Sequence, residues 1–189
     1  MLVLSWAVEF GMAIRACLRP LKAINTFKEL LMKAVNVKPN WLNPVHLLAF
    51  GFGSGAAPKA PGTFGTVAAV VLYLPLSLLS FDHYLLMILV TGVVGIYVCG
   101  KTAEDLGVHD HGGIVWDEFV GFWVTMIAAP VGWVWILVGF VLFRFFDILK
   151  PWPINWIDKK VAGGFGIMLD DVIAGVMAAL VLQGLAWWF

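Results

Sequence analysis

The chain has 189 residues, of which 61% are hydrophobic and 13% charged, and its Lys and Arg balance its Asp and Glu at a net charge of zero. A mean hydropathy of +0.92 argues against an ordinary water-soluble domain, where about 45–50% of residues are apolar. The neutral balance gives no reason to expect a nucleic-acid partner.

Length alone suggests one domain, and the charges fall in clusters separated by nearly uncharged stretches, as in lipid-embedded helices. Residues 1–38 read as a mildly basic, amphipathic N-terminal extension, and 39–189 as the membrane-embedded domain. The first residues are apolar but carry no positive charge before Glu9, so a cleaved signal peptide is not expected. Arg15, Arg19 and Lys22 read instead as part of an interfacial segment. Cys17 and Cys99 form no CxxC pair and read as two separate thiols in apolar surroundings.

From Asn40 the chain is rich in glycine and proline, with Pro58 and Pro61 preventing one long helix there. Two apolar spans follow, Thr66–Leu79 and Tyr84–Gly100, joined by the short polar break Ser80–His83. Beyond the polar stretch Lys101–Glu118, the apolar run Phe119–Phe143 is broken only at Pro130–Gly132. Each half is shorter than the roughly 20 residues of a perpendicular crossing. Extending the halves to Gly112–Ala129 and Trp133–Lys150 gives two spans, and brings Asp117, Glu118, Arg144 and Asp147 to the edge of the hydrocarbon or into it. Ionisable groups there are costly and usually face a protein interior or a wet cavity. A fifth span follows Asp171 and ends at the interfacial anchors Trp187 and Trp188.

The predicted class is therefore all-α, a helical membrane protein with about five transmembrane or membrane-embedded helices around a cytoplasmic-side polar site. The orientation comes from the Lys and Arg of the segments before span one, after span two and after span four. Those segments are expected in the cytoplasm and the C-terminus outside. Polar motifs at 51–66, 101–118, 144–151 and 163–171 then all share the cytoplasmic face.

The densest motif is GVHDHGGIVWDEFVG, residues 107–121, with His109, Asp110, His111, Asp117 and Glu118. A helix beginning near Gly112 would carry the last two acids in its early turns. Adjacent carboxylates against an apolar span call for a cation or a basic partner, and oxygen donors suit a hard ion such as Mg²⁺. Zinc has less support, because the HDH triplet has no cysteine partners. His109 or His111 fits a general base or acid near neutral pH, or a role in loop structure. His46 lies apart from the acids and reads as a packed or interfacial residue. His83 falls on the opposite face.

In FRFFDILKPWPI, residues 143–154, Arg144, Asp147 and Lys150 recur every third position and lie on neighbouring parts of one helical face. They read as a phosphate clamp beside a metal-binding acid, or as an ion-pair ladder at a helix end. In GGFGIMLDDVIAG, residues 163–175, Asp170 and Asp171 are expected at a helix N-terminus, where negative charge is favoured. N-capping would account for one acid, and metal ligation accounts for both. The stretch GFGSGAAPKAPGTFGT is neither a Walker A loop nor a dinucleotide fingerprint. Its backbone N–H groups, with Ser54, Lys59 and Thr63, would suit an anion; close helix packing or a re-entrant turn explains the glycines equally well.

Carboxylates, an Arg–Lys pair and a histidine together suit metal-assisted phosphoryl transfer to water from a lipid phosphate monoester. No G-x-S-x-G elbow supports a serine hydrolase. The rival classes are an ion- or proton-coupled transporter with intramembrane acids and a non-catalytic module whose charged pairs specify packing.

From about Trp41 to Leu182 the chain resembles the phosphatidylglycerophosphatase A family, through LLAFGFGSGAAPKAPGTFGT and the three acidic motifs above, in that order. The resemblance implies a Mg²⁺-dependent phosphatase acting on the phospholipid phosphatidylglycerophosphate, in a bacterial inner membrane and on a mainly helical fold. It matches the family's acidic positions to Asp110, Asp117, Glu118, Asp147, Asp170 and Asp171, and its basic positions to Arg144 and Lys150. The expected metal shell is Asp117, Glu118, Asp147, Asp170 and Asp171, with Arg144 and Lys150 on phosphate and His109 or Asp110 managing the proton. Direct attack by water and a route through an aspartyl-phosphate both remain open.

Overall fold

The computed structural model describes residues 38–108 and 111–188, and every element in them is helical. Apart from Lys38, the amphipathic lead-in expected over 1–38 lies outside the described residues, as do His109 and Asp110. The elements are α1 (Pro44–Ala49), a 3₁₀ segment (Gly51–Ala56), α2 (Pro61–Leu76), α3 (Phe81–Leu106), α4 (Trp116–Thr125), α5 (Trp133–Leu149), α6 (Ile154–Lys160) and α7 (Gly163–Trp188).

Local chemistry accounts for several boundaries. Asn43 caps α1, its side-chain oxygen accepting from the Val45 N–H at 3.0 Å, with Pro44 in the first turn. Pro61 likewise opens α2 rather than merely interrupting the chain. Gly107, at φ 67°, closes α3 in the left-handed conformation that glycine adopts without penalty.

α4 is the centre of the fold. It packs against α2, α3, α5 and α7, and nine of its ten residues are buried. A helix apolar on every side belongs in an interior. Phe119 and Phe122 are fully buried, and Trp116 stacks on Phe119 with ring centroids 5.6 Å apart. Polar atoms tie this aromatic rod to its neighbours: the indoles of Trp116 and Trp123 donate to the carbonyls of Thr91 and Ala69 at 3.1 Å. The Tyr84 hydroxyl donates to the Trp123 carbonyl at 2.8 Å.

The expected span Gly112–Ala129 is thereby corrected to ten helical residues, about 15 Å long. Residues 112–115 have a tertiary use instead. The Val115 N–H donates to the Ala49 carbonyl at 2.8 Å, tying this segment to the end of α1. The Gly113 N–H donates to His111 Nδ1 at 3.0 Å. The last span is corrected in the other direction. α7 starts at Gly163, so Asp170 and Asp171 sit about two turns inside it and cap nothing.

Glycines set the closest helix crossings. A Cβ at Gly121 of α4 would stand 2.8 Å from the Asp171 carbonyl and 2.6 Å from the Phe143 ring. One at Gly175 would fall on the Gly121 carbonyl, and one at Gly100 would reach the Gly164 backbone at 3.1 Å. Small residues at these crossings let the backbones of α3, α4 and α7 approach, as in membrane bundles.

Among the described residues, α3 and α7, each of 26 residues, are long and apolar enough to cross a membrane. The outer surface displays large apolar side chains such as Leu74, Leu86, Leu89, Val93, Leu137 and Leu180. Such a surface suits hydrocarbon better than water.

Candidate active site

Three helices bring the central charged groups together. Asp117 and Glu118 lie in the first turn of α4, Arg144 and Asp147 near the end of α5, and Asp170 and Asp171 in α7. Gly62 in the first turn of α2 closes the site from the other side. Oxygens of Asp117, Glu118 and Asp171 lie within 4.8 Å of one another. Asp147 and Asp170 stand close enough to Asp171 for their charges to act on it.

The counter-charge is smaller. Arg144 Nη1 is 2.5 Å from Asp147 Oδ2 and 3.6 Å from Glu118 Oε1. Lys150, at the C-cap of α5, turns to Asp170 Oδ2 at 2.6 Å and to Asp158 Oδ1, on α6, at 2.7 Å. The expected triad on one α5 face is thus divided: Arg144 and Asp147 pair with each other, while Lys150 reaches α7. Two cations therefore serve six carboxylates. Backbone amides relieve two of them, since Glu118 N–H donates to Asp117 Oδ1 and Asp171 N–H to Asp170 Oδ1, both at 3.1 Å.

Among the described residues, three buried polar atoms of this site make no hydrogen bond: Glu118 Oε2, Arg144 Nε and Arg144 Nη1, the last of them ion-paired with Asp147. Buried polar atoms normally find partners, so a lone acceptor next to lone guanidinium donors points to a ligand with both positive and negative parts. The all-oxygen donor set of Asp117, Glu118 and Asp171 fits a hard divalent cation. The unspent Arg144 donors fit anionic oxygens.

The remaining predicted residues fall elsewhere. His111 faces Phe50, ring centroids 5.4 Å apart, and accepts from Gly113. The Ser54 hydroxyl donates to the Gly51 carbonyl at 2.8 Å, and Lys59 is exposed. Thr63 is half-buried next to Gly62. No hydrogen bond or ion pair links Ser54, Lys59 or Thr63 to the carboxylates among the described residues. His46 is packed, its Nε2 3.1 Å from Asp105 and its Nδ1 accepting from the Asn40 N–H. His83 is exposed and pairs with Ser80.

Two site residues escaped the sequence reading. Asp158 holds Lys150 from α6, and nothing in its spacing marks it. Gly62 lies against Glu118 and Arg144, where a Cβ would displace the carboxylate; one glycine among many in its stretch gives no such signal.

The family profile described as Phosphatidylglycerophosphatase A matches residues 47–186. The chain is 51% identical over 141 residues to Phosphatidylglycerophosphatase A of Escherichia coli (strain K12), covering 74% of this chain and 82% of that one. It is 51% identical over 153 residues to the Haemophilus influenzae protein of the same name, covering 80% and 94%. A relative from Bacteroides thetaiotaomicron, 36% identical over 159 residues, covering 79% and 97%, is named for a phosphatidylinositol-3-phosphatase activity. No solved structure matches.

Proposed function

Since the chain belongs to the phosphatidylglycerophosphatase A family, we propose that the carboxylate cluster of Asp117, Glu118 and Asp171 is where it hydrolyses phosphatidylglycerophosphate to phosphatidylglycerol and inorganic phosphate, with Mg²⁺ as cofactor. The observation that carries this reading is that, among the described residues, the buried Glu118 Oε2 and Arg144 Nε have no hydrogen-bond partner. It supports a site built for a cation and a phosphate together. Family membership leaves the transporter reading without independent support.

Asp117, Glu118 and Asp171 would hold the ion, with Asp147 and Asp170 beside them. What Mg²⁺ supplies when bound is charge neutralisation at phosphoryl oxygens and a lower pKa for water. Arg144, fixed through Nη1 by Asp147 and Glu118, would present its Nε to the phosphate oxygens. Lys150, steadied by Asp158 and Asp170, adds a second positive charge. Of the glycine-rich stretch, Thr63 would be the nearest addition to the phosphate seat, since it adjoins Gly62; Ser54, bonded to Gly51, and the exposed Lys59 are left out of it. In the reaction a water oxygen bonds to phosphorus, the ester P–O bond to glycerol breaks, and the leaving oxygen takes up a proton. His109 or Asp110 manages that proton.

Five membrane-embedded segments, α2 to α5 and α7, would place this site on the cytoplasmic side of a bacterial inner membrane. The basic loops support that orientation.

The test is phosphate release by the purified full chain from phosphatidylglycerophosphate in detergent micelles. Release should require a divalent cation and be lost in a folded Asp117→Asn variant. Metal-independent release, or full activity in that variant, overturns the assignment.

A further inference from the structure

Two of the helices that carry the carboxylates, α4 and α7, also line an apolar groove that the hydrolytic reading does not use. It has a volume of about 270 Å³ and runs between α3, α4 and α7, lined by residues that include Leu89, Gly92 and Ile96, Val120, and Phe165 and Leu169. No lining side chain is polar. Its two outer walls, α3 and α7, are the helices long and apolar enough to cross a membrane. Leu89 and Phe165 are more than half exposed at its rim, so the groove opens where hydrocarbon would lie.

Its position relative to the carboxylates gives it a use. On α7, Leu169 and Val172 of the lining share one turn with Asp170 and Asp171, at the same height along the helix though on a different face. On α4, Val120 sits one turn beyond Asp117 on the same stripe of the helix. On α3 the lining extends from Ile96 back to Ile88, about 12 Å of helix leading away from the charged end. We propose that this groove seats one acyl chain of the phospholipid substrate while its phosphate lies at the carboxylate cluster. The proposal rests on the hydrolytic reading above and names how that site holds its substrate.

Size and chemistry select this occupant. Whole-ligand pockets usually span about 300–1,000 Å³, so the groove takes a single chain and not an entire lipid. A second protein chain would need a broad face, since stable interfaces bury about 1,200–2,000 Å² in total. Hydrocarbon tails are as apolar as the groove, so entering it from the bilayer gains little transfer energy. Its contribution is positional: a chain fixed along α3 and α7 limits where the phosphate can sit.

The test compares wild type with Gly92→Leu and Leu89→Trp, all full-length and in vesicles. Gly92 tolerates a Cβ, whose nearest neighbour is Val120 Cγ1 at 3.9 Å, and Leu89 lies at the exposed rim; larger groups at either position fill the groove without entering the core. For long-chain phosphatidylglycerophosphate, kcat/KM should fall roughly tenfold, the scale of a misfit in an apolar pocket. For the deacylated, water-soluble counterpart it should stay unchanged. A phospholipid with a photoreactive acyl chain should label Leu169 or Val93 in wild type, and label them less in Gly92→Leu. Equal rates on both substrates across all three proteins, an equal fall on both, unchanged labelling, or a change in oligomeric state as the sole effect overturns the acyl-chain seat. A wild type that cleaves neither substrate overturns the hydrolytic reading instead, while the labelling still decides the groove.

Discussion

Gly62→Ala tests the site through a residue that carries no chemistry of its own. A Cβ at position 62 would overlap Glu118 Oε1 and stand 3.1 Å from Arg144 Nη1. To regain van der Waals distance, the carboxylate must retreat by on the order of 1 Å, a misplacement of the size that costs about 100-fold in rate. Stability should hardly change. Alanine in place of glycine within a helix contributes about 1 kcal/mol, while an off-rotamer Glu118 costs about 0.5–1.5 kcal/mol; the two nearly cancel. The assay pairs phosphate-release kinetics with thermal unfolding in detergent. The expected result is a kcat lowered by about two orders of magnitude at an unchanged Tm, with partial recovery when Glu118→Asp shortens the displaced side chain. A Gly62→Ala enzyme with wild-type kcat would show that Glu118 does not need its place against α2. A parallel collapse of Tm would make the effect a packing defect.

Arg144→Lys keeps the charge but loses the planar fork that offers Nε and Nη1 together. Its kcat/KM should fall about 100-fold, as when one transition-state donor is removed, and a near-normal value would show that charge alone suffices. Gly121→Ala should destabilise the fold by about 1–3 kcal/mol through overpacking, because its Cβ would press on Phe143 and the Asp171 backbone. An unchanged Tm would mean that α4 and α7 are less tightly crossed than described.

The acidic positions were legible in the sequence because carboxylates are costly in apolar surroundings, so each marks itself wherever it occurs. That Asp117, Glu118 and Asp171 meet was not legible, since it depends on how α4 crosses α7. Helix boundaries failed where distant contacts set them. Gly112–Val115 reads as the start of a long helix, yet Val115 bonds to Ala49 in α1. The pair Gly163–Gly164 reads as a loop before a helix, yet Gly164 is helical and fits against Ile96 and Gly100 where no side chain would. His46 was legible as a packed residue because it lies outside the acidic motifs, and its burial bears that out, though its partner Asp105 was not foreseen. Asp158 could not be assigned, because its only distinction is that α6 folds back to put it beside Lys150.

Chain order gives the crossing of α4 and α7 a further meaning. A ribosome releases α4, with Asp117 and Glu118, well before α7 brings Asp170 and Asp171. Until then the early acids have Arg144 and Asp147 for company but lack their third oxygen donor, and Lys150 lacks its α7 carboxylate. A half-made chain already lodged in the bilayer therefore holds no finished centre. On the proposed assignment, completion of the helical packing and the onset of chemistry become one event, and a chain ending before α7 would lack both.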